Sequence, residues 1–160
     1  MAKPAVRNLI RAILLTAALP MTAVAAAPAD VPGADAAIAA RQTGFKKMGG
    51  AMKALKLELQ NPVPAASVMI ESATTIAEAA AGQGKLFPAG SGISATLKTA
   101  ALPAIWTDRA TFDTQMATLV TESARLAVAA KAGDVAAIKA QQASTGAACG
   151  ACHRQFRAES

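Results

Sequence analysis

Tyrosine is absent from this chain of 160 residues, and one tryptophan, four phenylalanines and one histidine are all its rings. Aromatics make up 3% of the sequence, so a core built from these side chains alone is short of large groups and gains from an additional bulky hydrophobic body. The single histidine, His153, and the only two cysteines, Cys149 and Cys152, exclude a structural zinc site, which wants four ligands. β-branched residues are scattered and form no alternating runs, which argues against strands. What is abundant is alanine, the best helix former. The expectation is an all-α chain of one domain, its helices packed through small side chains.

Long apolar runs are also scarce. The N-terminus holds one, Ala12-Ile13-Leu14-Leu15-Thr16-Ala17-Ala18-Leu19, preceded by Lys3, Arg7 and Arg11 and followed by the small residues Ala23 to Ala27. This order of cations, apolar run and A-x-A-like site reads as a secretory signal peptide over residues 1–27, cleaved among Ala25 to Ala27. The run is short for a membrane span, and no other segment qualifies. Residues 28–160 are then the mature domain, and export in a bacterium places it in the periplasm. The leader takes three cations and no acid from the net charge of +6. No clustered basic run remains to argue for nucleic acid.

Apolar spacing divides the domain into helices. Ile38, Phe45, Met48, Met52, Leu55 and Leu59 recur at steps of three, four or seven, one helical stripe that Asn61-Pro62-Val63-Pro64 ends. A second helix is expected over about 65–81, with Val68, Met69, Ile76 and Ala80 inward, stopped by Gly82-Gln83-Gly84. Residues 85–102 carry Pro88, Gly90 and Gly92 and read as a long ordered loop with one helical turn near 95–99. Pro103 can open a third helix, whose period runs through Ile105, Phe112, Met116, Leu119, Ser123, Leu126 and Ala130 to Lys131. Gly133-Asp134 breaks it, with Asp134 as N-cap of a fourth helix reaching the end of the chain, kinked at Ser144-Thr145-Gly146. Four helices joined mostly by short turns make an antiparallel up-down-up-down four-helix bundle.

The chemistry lies in Cys149-Gly150-Ala151-Cys152-His153, a C-x-x-C-H run. On a helix the three ligating residues fall at i, i+3 and i+4 and face one way. Two thiols can then add to the two vinyl groups of one covalently bound haem c while the imidazole of His153 reaches the iron. A thioredoxin-like redox pair wants a preceding strand and a mixed α/β setting, and neither is visible. A disulfide between residues three apart closes too small a loop to stabilise much.

The bundle, the motif at the far C-terminus, Arg41-Gln42 on the first helix, Leu86-Phe87-Pro88 in the loop, Pro103-Ala104-Ile105-Trp106 and Cys149-x-x-Cys152-His153-x-x-Phe156-Arg157 together resemble the cytochrome c′ family, the class II c-type cytochromes, over nearly the whole mature chain. The resemblance implies that Arg41 lies near a haem propionate and that Phe45, four residues on, lines the sixth position of the iron. Phenylalanine has no lone pair to donate, so it implies five-coordinate, high-spin iron under an apolar wall. Met48 and Met52 on the same stripe keep a second arrangement open, a six-coordinate low-spin electron carrier ligated by a thioether. Arg157, four residues after His153, is expected over the same helix face, beside the imidazole. Phe87 is read as a cover for the haem edge or a loop anchor, and Phe156, Trp106, Met69 and Phe112 as packing.

The family resemblance implies NO uptake. An apolar pocket has no donor to hold O₂, but NO and CO need none. Single-electron exchange with an unnamed redox protein is the second reading. Peroxidase-like catalysis is disfavoured, since no distal histidine or acid–base pair is apparent. Dimerisation through the first two helices is a further implication of the resemblance.

Overall fold

The computed structural model describes residues 33–92 and 96–159; the expected leader, 1–27, lies outside them. Five helices follow in order, α1 (Ala34–Glu58), α2 (Ala66–Gln83), the short α3 (Ala104–Thr107), α4 (Arg109–Ala132) and α5 (Val135–Phe156), with a 3-10 turn at Gly84–Leu86. The four long helices form an antiparallel bundle. Backbones approach closely along the seams α1–α2, α2–α4 and α4–α5, whereas the fourth seam, between α1 and α5, is not closed in this way.

Local chemistry sets the ends. Pro62 and Pro64 stop α1, and the Glu58 carboxylate accepts the Ala65 N–H at 2.7 Å across the turn. Gly133, at φ 72, ends α4 in the left-handed conformation that glycine adopts without strain, and the Asp134 side chain accepts the Ala137 N–H at 3.0 Å to cap α5.

The expected helix from Pro103 to Lys131 is two. The chain breaks at Asp108 (φ −121, ψ 55), whose side chain accepts from Gln155 on α5. The helical turn expected near 95–99 is also absent over its described residues, 96–99. The backbone there is diverted to α1: Gln42 donates to the Lys98 carbonyl at 2.7 Å and Arg41 to the Thr99 hydroxyl at 2.9 Å. Across the kink expected at 144–146 the hydrogen-bonded helix α5 is unbroken, and Ser144 and Thr145 return their hydroxyls to the carbonyls of Ala140 and Gln141. Nor does α5 reach the chain end. Leu102 donates to the Phe156 carbonyl and Ala158 to the Ala100 carbonyl, pulling Arg157 into an isolated antiparallel bridge with Ala101.

The core has two unlike halves. Around the α1–α2 turn it is aliphatic: Leu55, Leu59, Met69, Ala73, Ile76, Leu126, Ala130 and Ile138. Toward the other end it is rich in rings and sulfur: Met48, Phe87, Phe112, Met116 and Phe156 are buried, with Phe45, Trp106, Cys149 and Cys152 packed against them. All five aromatic residues of the chain gather there.

Between α1 and α2 the fit is tight at Gly44. A Cβ there would collide with the Gln83 carboxamide, which is buried and donates to the Arg41 carbonyl at 2.6 Å, so it cannot swing aside without losing that bond. Gly44→Ala gains about 1 kcal/mol of helix propensity but is expected to destabilise the protein by about 1–3 kcal/mol net, read as a lower denaturant midpoint at unchanged slope.

Candidate functional site

The C-x-x-C-H run occupies the last two turns of α5. Cys149 and Cys152 are free thiols, each half-buried, and both turn toward the aromatic cluster. Burial pushes the Cys149 thiol up, and burial together with the neighbouring Cys149 pushes Cys152 to about 11, so both are protonated at neutral pH. His153 is more exposed. Partial burial and the positive charge of Arg157 hold its imidazole below the usual histidine range, which favours the neutral ring that a metal requires. Arg157 therefore acts on His153, but from the extended strand beyond the helix, not from the same helical face as its spacing suggested.

The register of the open seam decides what faces what. The terminal methyl of Met52 lies 3.8 Å from where a Cβ on Gly146 would stand. Steps of seven residues keep a helical face, and the two helices run in opposite directions. Phe45, seven before Met52, is thus level with His153, seven after Gly146. The same count sets Met52 about 10 Å along the axis from that level. Met48 is buried in the cluster that receives both thiols.

Phe45 is half-buried and packs edge-on against Phe87, ring centroids 6.3 Å apart. Phe87 in turn meets Phe112 at 4.9 Å, and Phe112 meets Phe156, three residues past His153, at 5.3 Å. Phe87 is both a loop anchor and a wall of the cluster. Its carbonyl accepts from Arg109 at 2.8 Å, and the Arg41 guanidinium lies 4.8 Å over its ring.

Arg41 is 2% exposed. Its Nη1 donates to the Ser91 hydroxyl (3.0 Å) and more weakly to the Leu86 carbonyl (3.4 Å), and its Nη2 to the Ser91 carbonyl (2.8 Å) and Thr99 hydroxyl (2.9 Å). No carboxylate pairs with it among the described residues, and burial lowers its pKa. It pins Leu86, Ser91 and Thr99 to α1. Sequence reading did not foresee this pinning, nor the supporting roles of Gln83, Ser91, Thr99 and Arg109, whose partners lie 22 to 58 residues away in the chain. It also passed over Met116 as a member of the buried cluster against which the thiols pack.

These residues fit a covalently held porphyrin. Two thiols face an apolar, ring-lined cluster beside the one seam that the backbones leave open, with an imidazole one residue further on. A four-helix bundle with such a site defines a c-type cytochrome of the bundle class. The Cytochrome C' family profile matches residues 36–157, and the chain belongs to the cytochrome c′ family, whose members carry covalently attached haem c. Cytochrome c′ of Rhodocyclus tenuis is 34% identical over 119 residues, 73% of this chain and 90% of that protein. The crystal structure of cytochrome c′ from Thermochromatium tepidum superposes with a TM-score of 0.76 at 31% identity, covering 82% of this chain and all of that one. A second cytochrome c′ structure, described as having an unusual ligand-controlled dimer dissociation, gives 0.75 at 28% identity over 79% of this chain and 97% of that one.

Proposed function

We propose that this protein is a periplasmic cytochrome c′ with five-coordinate, high-spin iron that binds NO and CO and exchanges single electrons. Cys149 and Cys152 hold the haem by thioether bonds, His153 ligates the iron, and Phe45 walls the opposite side. The observation that carries this reading is the register of the α1–α5 seam, which sets a ring without a lone pair opposite His153. When bound, the haem supplies an iron that changes oxidation state by one electron and has room for a diatomic ligand. The chain's part is to keep His153 neutral through burial and Arg157, to exclude water with the aromatic cluster, and to keep the loop closed through Arg41. A buried guanidinium without a carboxylate suits a propionate, and four of the five N–H groups of Arg41 already serve the loop, so one donor is left for that anion. The leader sequence supports export, and no helix among the described residues is long and apolar enough to cross a membrane.

A second reading draws on Met48, which packs in the same cluster as both thiols and has a thioether to offer. Ferric EPR and reduced absorption spectra of the holoprotein, with and without CO, separate the two. High-spin signals and a CO-induced spectral shift are expected. A low-spin spectrum indifferent to CO would establish methionine ligation instead. Dimerisation through α1 and α2 also belongs to this proposal, supported by the relative with a ligand-controlled dimer; sedimentation with and without CO tests it.

A further inference from the structure

Lysines that look dispersed in the sequence are brought together by the bundle. On α1, Lys46, Lys53 and Lys56 are exposed, and no acidic residue lies between Asp35 and Glu58. By helical rotation these three point to the α5 side of the helix, the side on which Met52 reaches Gly146, while Gly44 marks the α2 side. On α5 no acidic residue lies between Asp134 and Glu159, and the bank facing α1 carries exposed Lys139 and Arg154, the latter folded back to 3.4 Å from a Cβ position on Gly150. None of the five joins an ion pair among the described residues. Of the acids among the described residues, Asp35, Glu58, Asp134 and Glu159 stand at the ends of the two seam helices, Asp108 precedes α4, Glu71 and Glu78 lie on α2, and Asp113 and Glu122 lie on α4, these last two paired with Arg109 and Arg125.

We propose that the α1–α5 seam is the docking face for an acidic electron-carrying protein, met by Lys46, Lys53 and Lys56 on one bank and Lys139 and Arg154 on the other. This rests on the reading that the haem lies in that seam and exchanges electrons. Charges of one sign along a cleft steer an oppositely charged partner and raise its association rate by about 10- to 1,000-fold at low ionic strength. The cations span about 15 Å along α1 and about 22 Å along α5, the footprint of a protein rather than of a small anion. An acidic membrane surface suits the face less well. Of the exposed large apolar residues, Val63 and Val128 lie off the seam and Leu57 alone stands beside Lys53 on the α1 bank, a single side chain and too little apolar surface to hold a lipid face.

The test compares two charge-reversed pairs of equal net charge, Lys46→Glu with Lys53→Glu on the seam, and Lys85→Glu with Lys131→Glu away from it. Stopped-flow oxidation of the reduced holoprotein uses anionic hexacyanoferrate(III) and cationic tris(phenanthroline)cobalt(III). At low ionic strength the seam pair is expected to slow the anionic reagent about tenfold and to speed the cationic one, with both effects vanishing at high salt. The control pair should stay within about twofold of the unsubstituted protein. A second readout needs no redox chemistry: retention on polyglutamate resin, where the seam pair should elute at lower salt than the control. Equal effects of the two pairs would overturn the proposal, reducing it to net charge. So would binding to phosphatidylglycerol vesicles at the salt that releases the protein from polyglutamate. A holoprotein inert to both oxidants would overturn electron exchange, and with it the partner's electron-carrying character, while polyglutamate retention would still report on the acidic-surface element alone.

Discussion

Replacing both Cys149 and Cys152 by alanine is expected to yield a folded chain from which acidified organic solvent extracts all the haem, whereas the unsubstituted protein keeps it through the same treatment. The measurement is the intact mass together with haem staining of the denatured protein. A chain with both alanines that still carries haem mass would remove the attachment assigned to these residues. The variant is informative because its folding cost is small. Each thiol is half-buried, and deleting one sulfur atom forfeits at most about 1 kcal/mol of burial, part of it recovered by the higher helix propensity of alanine in α5. Circular dichroism of the two proteins should therefore show similar helix content. Each single variant should keep the haem through its remaining thiol. The protonated state of both thiols adds a kinetic consequence. With Cys152 held at about 11, the thiolate fraction near neutral pH is small, and uncatalysed alkylation of the haem-free chain should accelerate with pH up to that range.

How far the chain could be read before its structure depended on the range of each interaction. The stripe from Ile38 to Leu59 and its arrest at Pro62 are local, and α1 follows them closely. Gly133-Asp134 is likewise a local signal and ends one helix and begins the next as expected. The misjudged places are those where a backbone or side chain answers to a distant partner. Asp108 interrupts a helix with neither proline nor glycine nearby, and its side chain answers to Gln155, 47 residues away. Residues 96–99 have no helix because Arg41 and Gln42 bind them from α1. Arg157 leaves the helix because Ala101 pairs with it. The site divides along the same line. A motif of five consecutive residues shows the thiols and the imidazole, since one helix suffices to bring them together. The tie between Arg41 and the loop, and the level of Phe45 relative to His153, need two elements in register, and no spacing within one helix encodes that.

Phe45→Met is the substitution expected to change the chemistry most. The side chain at 45 is half-buried, stands level with His153 across the open seam and touches Phe87 through a ring edge at 6.3 Å. Methionine is unbranched, can thread the space left by the ring, and ends in a sulfur that ligates haem iron. The expected product is a low-spin ferric EPR signal in place of the high-spin one and a reduced spectrum that no longer shifts with CO. CO affinity should fall by at least about 100-fold, or roughly 2.7 kcal/mol, because the gas must displace an internal ligand before it binds. Phe45→Leu supplies the control, since it opens similar room without a lone pair and should remain high-spin with CO bound at least as tightly. Met48→Leu and Met52→Leu should leave the spectrum of the unsubstituted protein unchanged. A loss of low-spin character in Met48→Leu would move the sixth ligand to residue 48. Should Phe45→Met stay high-spin with full CO affinity, position 45 does not face the iron, and the register drawn from Met52 and Gly146 fails with it.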